Sequence, residues 1–357
     1  MHATAHIAAI GTAVPDHDIH DAFIQWARSR LPDARSARVF DRMAGRAAIG
    51  HRWSVLPRGT DGGSPVDAGG FYARDLLPGT AERMRLYAEA APKLGIAAID
   101  ALRAQVPLDG ITHFVVASCT GFVAPGIDQI IAAELGLSPS VERLLVGFMG
   151  CYAAVAALRS ARHIVRSDPA ARVLVLCVEL STLHLQDNPT LEPLLAMLQF
   201  GDGAAAALVT AEPTGLALGQ PFATTLPDSA ALIRWDITDS GFAMHLSGEV
   251  PARIAVGLAN PDFAAAATGG RDPGEIDGWA VHAGGRSILD AVENALHLQQ
   301  GALAASRGVL ADFGNMSSAT LMFVLARLLG GPPIHDGVAL AFGPGLAAEG
   351  FGFRSAA

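Results

Sequence analysis

Apolar and polar residues follow each other in blocks along the chain, and the period of each block predicts its secondary structure. Residues 6–10 and 144–146 are short apolar runs, as expected for strands. Longer stretches repeat apolar positions every three or four residues and predict helices at residues 19–30, 36–47 and 80–104. The predicted strands of Val, Leu and Ala are apolar throughout instead of alternating, which is typical of sheets covered on both faces.

The apolar pattern also repeats at a constant offset of 165 positions. Residues 111–117 match 276–282, residues 148–154 match 313–319, and residues 173–177 match 338–342. The repeat predicts two copies of one βαβ-type unit, each with a strand that enters a helix through a turn of small residues. We therefore expect an α/β fold with pseudo-two-fold halves, at residues 1–213 and 214–357.

Composition and charge exclude several classes of protein. Apolar residues make up 51% of the 357 positions and the net charge is −9, so we expect a large core and no nucleic-acid partner. No apolar stretch is long enough to span a bilayer, and no signal-peptide pattern begins the chain. The three cysteines are too scattered for a disulfide framework, which favours the cytoplasm. No motif predicts a metal or a bound nucleotide cofactor.

One of these cysteines stands at a chemically distinctive position. Cys151 follows an apolar run and glycines, and it opens a predicted helix in the N-terminal half. Unpaired N–H groups and the positive dipole end of a helix favour a thiolate there. The alternative is a small buried hydrophobe, which describes most free cysteines.

The C-terminal half offers two partners for this thiol. His282 and Asn315 lie at strand-to-turn and turn-to-helix points of the repeated segments, so we expect both to converge on Cys151 at the centre of the fold. An imidazole takes the thiol proton in many Cys–His pairs and keeps the thiolate available. The amide of Asn315 is a donor that can stabilise an oxyanion.

Four motifs resemble those of type III polyketide synthases, the chalcone-synthase-like branch of the thiolase fold. They are Gly-Cys-Tyr-Ala-Ala at 150–154, Val-His-Ala-Gly-Gly at 281–285, Gly-Asn-Met-Ser-Ser at 314–318 and Phe-Gly-Pro-Gly at 342–345. The resemblance covers nearly the whole chain and keeps the family order. It implies a duplicated thiolase-type architecture, a homodimer, coenzyme A thioesters as substrates and no further cofactor.

The resemblance also implies roles for individual residues. Cys151 becomes the nucleophile that holds the starter acyl group and the growing chain. His282 and Asn315 polarise the thioester carbonyl of malonyl-CoA during decarboxylation. Phe200, before Gly-Asp-Gly, becomes the gatekeeping aromatic residue, and Ser317 belongs to the substrate pocket.

Two arginines resemble the part of the family that contacts coenzyme A. Arg42 and Arg46 lie on a predicted helix that is similar to the basic helix of the family, so they are candidates for phosphate contacts. The alternative is a solvated helix face, where arginines need no ligand.

Departures from the plant enzymes bear on the product. Met244 replaces a second gatekeeper phenylalanine, and Trp235 replaces a small cavity residue. Cys119 resembles the pattern of the bacterial enzymes, in which a cysteine lines the elongation cavity. Ala124 replaces a larger residue that often crosses the dimer interface. A flexible methionine and small alanines suit an aliphatic starter, so we expect iterative condensation of malonyl-CoA to alkylpyrones or alkylresorcinols. A single-round ketoacyl carrier-protein synthase, an aromatic product from malonyl-CoA alone and a non-catalytic scaffold are the alternatives.

Overall fold

The computed structural model describes residues 3–74 and 76–356, and its strands and helices follow one another as the apolar pattern predicts. The strands are β1 His6–Ala13, β2 His17–Asp18, β3 Trp53–Ser54, β4 His113–Ser118, β5 Glu142–Gly147, β6 Val173–Leu180, β7 Asp202–Thr210, β8 Leu216–Thr225, β9 Ile233–Thr238, β10 Gly241–Leu246, β11 Gly278–Val281, β12 Gly337–Gly343 and β13 Ala347–Ser355. The α-helices are α1 His20–Arg30, α2 Ala34–Arg46, α3 Thr80–Arg103, α4 Ile127–Glu134, α5 Ala153–Ser167, α6 Leu191–Met197, α7 Val250–Ala259, α8 Pro261–Thr268, α9 Arg286–Ala295, α10 Ala304–Phe313 and α11 Ser318–Leu329.

The main sheet shows the internal repeat directly. Its nine strands in the described residues run in the order β5-β4-β6-β7-β1-β8-β13-β12-β11. In the first half β4 lies parallel to β6, which pairs antiparallel with β7; in the second half β11 lies parallel to β12, which pairs antiparallel with β13. The two halves meet where β1 pairs with β8. This symmetric order confirms the predicted α/β fold with duplicated βαβ-type halves.

Buried side chains separate into three layers. On β6, Val173, Val175 and Cys177 face a central core built on α5 and α11, whereas the intervening residues face an outer core built on α3. On β12, Ala339 and Ala341 face the same central core, and their neighbours face an outer core with α7 and α9. Successive residues of a strand point to opposite faces, so both half-sheets lie between helical layers and need apolar residues on both sides.

The centre of the fold places the start of α5 and the start of α11 close together. Both helices carry long runs of buried small or aliphatic residues, and both belong to the central core. Cys151 lies two residues before the start of α5 and Asn315 three residues before the start of α11, so the packing of these two helices brings the N-terminal and C-terminal parts of the candidate site together. Among the described residues, no helix is both long enough and apolar enough to cross a membrane.

Candidate active site

Cys151 lies in a short 3₁₀ turn, Gly150–Tyr152, that connects β5 to α5. The approach to this turn is tightly constrained, because Phe148 and Gly150 both have positive φ angles, 56° and 74°. A Cβ on Gly150 would lie 2.5 Å from Cδ of Pro344, which belongs to the turn after β12. A glycine is therefore required here, and it lets the two halves of the protein interlock beside the thiol.

His282 directly follows β11 and points into the protein. Its backbone N–H donates to the carbonyl of Leu340 on the neighbouring strand at 2.8 Å, which continues the sheet pairing to the site. The residue is only 2% exposed, and neither ring nitrogen has a hydrogen-bond partner among the described residues. Burial lowers the pKa of His282 to about 3, so the imidazole is neutral near pH 7.

Asn315 is held through its backbone and its side chain. Its N–H donates to the carbonyl of Gln199 at 2.7 Å, and its carbonyl accepts from the N–H of Gly201 at 3.0 Å. The side-chain oxygen accepts from the N–H of Ser317 at 2.8 Å, and Nδ2 donates to the carbonyl of Gly284 at 3.3 Å. The NH₂ group therefore lies beside the backbone of Gly284, and a Cβ on Gly284 would lie 3.2 Å from Cδ2 of the His282 ring.

The environment of the Cys151 thiol favours the neutral form. Burial raises the pKa of Cys151 to about 12, and the carboxylate of Glu179 acts in the same direction. Hydrogen bonds from Ser317 and Asn315 to the sulfur lower the pKa, but they do not offset these effects. Judged by its exposed surface, Cys151 is half-buried. Desolvation and the Glu179 carboxylate both act against the thiolate that a helix terminus favours.

Glu179 is a buried carboxylate that the sequence analysis did not identify. It is the penultimate residue of β6. Its carboxylate accepts hydrogen bonds from the N–H of Cys119 at 3.0 Å, from Oγ1 of Thr120 at 2.9 Å and from Oγ of Ser318 at close range. Burial raises the pKa of Glu179 to about 7. The only signal in the sequence is a single acidic residue inside an apolar strand.

A small cavity of about 30 Å³ opens above the thiol. Five predicted residues line it together with Cys151: Cys119, Phe200, Trp235, Met244 and Ser317. Trp235 and Met244 are opposite each other on β9 and β10, and the indole N–H of Trp235 donates to the carbonyl of Cys119 at 2.8 Å. The structure therefore brings these predicted pocket residues together around one thiol. The remaining lining residues, which the sequence analysis did not identify, are Thr120, Gly150, Ser181, Ile233 and Pro344.

A second, mainly apolar cavity of about 80 Å³ adjoins the first and opens to solvent. Four residues line both cavities: Ser181, Phe200, Trp235 and Met244. Beyond them the wall continues with aliphatic and aromatic side chains from α1 and the loops, including Ile19, Phe23, Leu56 and Val66. We call this space the outer apolar cavity, because it extends the space at Cys151 away from the thiol.

Five predicted residues line neither cavity: His282 and Asn315, which are buried, and Arg42, Arg46 and Ala124, which are exposed. Arg42 and Arg46 are exposed on α2, and neither forms an ion pair with a described residue. Ala124 is exposed in the loop after β4. Their assigned contacts, with coenzyme A and with a second subunit, stay predictions.

Family models match nearly the whole chain. Residues 1–213 match the model of chalcone and stilbene synthases, N-terminal domain, and residues 218–357 match the corresponding C-terminal domain. Among curated proteins, the chain is 35% identical over 285 residues to an alpha-pyrone synthesis polyketide synthase-like protein, Pks18, of Mycobacterium tuberculosis and of Mycobacterium bovis. The match covers 76% of this chain and 72% of the relative.

Solved structures of polyketide synthases share the fold over the full length. PKS-I from the brown alga Ectocarpus siliculosus superposes with a TM-score of 0.86 at 30% identity, covering 99% of each chain. The C-terminal type III domain of Steely1 from Dictyostelium superposes with a TM-score of 0.87 at 25% identity, covering 99% of this chain and 100% of that chain. A fungal type III polyketide synthase, ORAS, gives 0.84 at 26% identity, with 98% and 99% covered.

Proposed function

Because the chain belongs to the chalcone and stilbene synthases, the type III polyketide synthases, and is therefore an acyltransferase, we propose that it loads an aliphatic acyl group from acyl-CoA onto Cys151 and extends it iteratively with malonyl-CoA. The observation that carries this proposal is the Cys151 thiol, which has the side chains of Ser317 and Asn315 beside its sulfur and lies at a small cavity that continues into a larger apolar one. We assign His282 to the same site. The products that fit this cavity are alkylpyrones or alkylresorcinols.

Loading begins from a neutral thiol and a neutral imidazole. The raised pKa of Cys151 means that the thiol must lose its proton as it attacks the thioester carbon. His282 is unprotonated and has free ring nitrogens within the described part of the site, so it accepts this proton. The new sulfur–carbon bond forms on Cys151, the bond to coenzyme A breaks, and the proton passes to the departing coenzyme A thiolate.

Decarboxylation of malonyl-CoA requires stabilisation of an enolate oxygen. Asn315 donates through Nδ2 because Ser317 engages its Oδ1. The neutral imidazole of His282 carries one N–H, which is the second donor. Two donors aimed at the developing oxyanion each lower the barrier by about 3 kcal/mol. Loss of CO₂ leaves its electron pair on the enolate, whose carbon attacks the acyl thioester, so the bond between the acyl carbon and the Cys151 sulfur breaks and the thiolate is released. The lengthened chain, now a coenzyme A thioester, acylates Cys151 again and coenzyme A departs.

The outer apolar cavity supports an aliphatic starter. Its walls are mainly apolar, and it joins the space at the thiol between Phe200, Trp235 and Met244. Each methylene buried there contributes about 0.8 kcal/mol, which favours long chains over short ones. The relatives described as alpha-pyrone synthesis proteins support a pyrone as product.

Coenzyme A thioesters are the only substrates that this proposal needs. Arg42 and Arg46, both exposed on α2, are the proposed phosphate contacts, since guanidinium groups bind phosphate oxygens in pairs. We propose that no metal and no further cofactor takes part. The described cysteines are free thiols, which supports a reducing, cytoplasmic setting.

A second copy of the chain is the proposed partner. The sheet ends at β5, where Leu144 and Leu145 are 44% and 43% exposed, and the nearby Phe122 is 45% exposed. An apolar strand at a sheet edge invites pairing with another strand. A homodimer through β5 would cover this edge and would bring the loop with Ala124 towards the partner.

The test is an incubation of the purified protein with malonyl-CoA and acyl-CoAs from acetyl to stearoyl, plus coumaroyl-CoA, followed by mass spectrometry. We expect triketide or tetraketide products whose mass follows the starter, and an acylated peptide that contains Cys151. Cys151→Ala abolishes condensation, whereas Cys151→Gln retains decarboxylation of malonyl-CoA.

Other products would redirect the proposal. An aromatic product from malonyl-CoA alone would keep the reaction type and overturn the aliphatic starter. A single condensation, or activity only with a carrier protein, would favour a single-round condensing enzyme. Acylation of Cys119 or Cys177 instead of Cys151 would refute the nucleophile.

A further inference from the structure

A large open cleft lies at the opposite end of α5 from the thiol. It is lined by residues of α5, β8 and β13 and by the segments around Thr4, Arg271 and Asp336, and it holds about 1380 Å³ of empty space, counted to its open mouth. Cys151 precedes the first residue of α5, whereas Arg166 lies at its last turn. A helix of this length spans about 22 Å, so the cleft is separate from both cavities of the active site.

Four arginines line this cleft: Arg162, Arg166, Arg271 and Arg354. Asp336 is the one acidic residue among the described lining residues, and it pairs with Arg271 at 2.7 Å. Arg162, Arg166 and Arg354 form no ion pair with any described residue. The cleft therefore gathers three uncompensated positive charges in a chain whose net charge is −9.

The cationic groups are held in place by the fold. Arg162 is only 6% exposed, and its Nε donates to the carbonyl of Leu218 at 3.3 Å. Arg271 donates to the carbonyl of Thr268 at 3.1 Å, and a Cβ on Gly352 would lie 2.0 Å from its Nη2. A glycine on β13 thus leaves the space that this guanidinium occupies.

The lowered pKa values of two neighbouring histidines reflect the positive potential of the cleft. Arg162 and Arg166 both lower the pKa of His163, after desolvation, and Arg354 contributes to the lowered pKa of His6 near the junction of β1 and β8. Like charges that converge in a partly desolvated cleft repel each other. An anion with several oxygen acceptors removes this repulsion and offers paired acceptors to the guanidinium groups.

We propose that this cleft binds the diphosphate group of a small organic or inorganic phosphate. Three unpaired guanidinium groups match a group with at least two negative charges better than a single carboxylate. The opening is wide enough for the rest of a nucleotide to remain in solvent. This site is independent of the proposed condensation reaction, because it shares no lining residue with the space around Cys151.

Isothermal titration calorimetry of the full chain with pyrophosphate, orthophosphate and ADP tests the proposal. We expect pyrophosphate to bind more tightly than orthophosphate, and binding to weaken as salt increases. Arg354→Gln, an exposed substitution, and Arg162→Gln, a buried one, should each weaken pyrophosphate binding about tenfold. Comparable affinity for ADP identifies a nucleotide as the source of the diphosphate, whereas pyrophosphate binding without ADP binding identifies an inorganic ligand.

Two control variants distinguish this site from other arginines. Arg85→Gln removes an exposed charge on α3 outside the cleft and should leave pyrophosphate binding unchanged. The double variant Arg42→Gln/Arg46→Gln removes the proposed coenzyme A phosphate contacts, so it should lose any binding at that site and keep the pyrophosphate binding that Arg162→Gln and Arg354→Gln weaken. Loss of this pyrophosphate binding in that double variant, equal weakening by Arg85→Gln, or no heat of binding to the unmodified protein would overturn the proposal.

Discussion

The backbone N–H of Gly150 donates a hydrogen bond to the sulfur of Cys119, with 2.9 Å between nitrogen and sulfur. Gly150 directly precedes the proposed nucleophile, so Cys119 positions the turn that carries Cys151. Cys119 also lines the cavity above the thiol, and its carbonyl accepts from the indole of Trp235. Cys119 therefore contacts the nucleophile turn through its sulfur and the cavity wall at Trp235 through its backbone carbonyl.

Removing this acceptor should slow acyl loading. We expect Cys119→Ala to reduce kcat/KM for the starter about fivefold, since a hydrogen bond of about 1 kcal/mol is lost and the turn is less well positioned. Cys119→Ser keeps an acceptor at this position and should retain most of the activity. Rapid-quench measurement of acyl transfer to Cys151 provides the rate. Equal rates for the alanine and serine variants would show that the hydrogen bond does not position the nucleophile.

The raised pKa of Cys151 predicts an unusual alkylation profile. Because the thiol is neutral at pH 7, the rate of its reaction with iodoacetamide should still be rising at about pH 10. Peptide mass spectrometry separates Cys151 from the two other cysteines. A plateau below pH 7 would instead show a preformed ion pair with His282.

Glu179→Gln tests the electrostatic part of this effect. At pH 8 the carboxylate, with a pKa of about 7, is ionised and raises the pKa of Cys151. The neutral amide is similar in shape and removes this charge, so the pKa of Cys151 should fall and alkylation at pH 8 should become about tenfold faster. An unchanged profile would mean that desolvation alone sets the reactivity of the thiol.

The sequence predicts the repeated architecture because the signals are local and strong. The offset of 165 places β4 with β11, β6 with β12 and the start of α5 with that of α11, as the structure has them. Strands that are apolar on both faces require helices on both sides, so the layers follow from the apolar pattern of the strands. Their positions at the ends of repeated elements predict that Cys151, His282 and Asn315 converge. The structure brings the side chain of Asn315 to the Cys151 sulfur, and the role of His282 stays a prediction.

Other features depend on distances that no local pattern contains. Glu179 becomes important because Thr120 and Ser318, distant in sequence, donate to it. The pKa of Cys151 depends on the desolvation of the thiol and on the nearby Glu179 carboxylate. Both counteract the helix terminus, which is the only one of these effects that the sequence shows. The arginine-lined cleft combines α5 with β13, and charge patterning along the chain does not reveal that they meet.

His184 predicts a pH dependence of stability. Its Nε2 lies 2.7 Å from the carbonyl of Thr120, and its Nδ1 accepts from the N–H of Phe242 at 3.0 Å, so the folded protein requires a neutral ring. Burial lowers the pKa of His184 to about 3. In the unfolded chain a histidine titrates near pH 6.5. Below that pH the unfolded state binds a proton that the folded state does not, so stability falls as the pH decreases from 6.5 towards 3.

The comparison with His184→Gln isolates this contribution. Between pH 7 and pH 5 the unmodified protein should lose about 2 kcal/mol more of its free energy of unfolding than the variant, which has no titrating group at this position. Urea unfolding at the two pH values measures the difference. If both proteins lose the same amount, protonation of His184 does not limit stability in acid.

The size of the outer apolar cavity should set the preferred length of the starter. Ala22 on α1 is part of its wall, and a phenyl ring at this position would fill space that the end of a long acyl chain needs. If the ring displaces about three methylenes, Ala22→Phe costs about 2 kcal/mol for stearoyl-CoA, or about thirtyfold in kcat/KM. Acetyl-CoA does not reach this part of the cavity, so its kcat/KM should not change.

Ala37→Phe is the matched control for this substitution. Ala37 lies on α2, in a groove that is separate from the outer apolar cavity, so the added ring should leave the preference for chain length unchanged. Competition between stearoyl-CoA and acetyl-CoA in one reaction, analysed by product mass, gives the ratio of the two kcat/KM values directly. An equal decrease for both starters in Ala22→Phe would indicate a general disturbance of the fold. An unchanged ratio would mean that the acyl chain takes another path from Cys151.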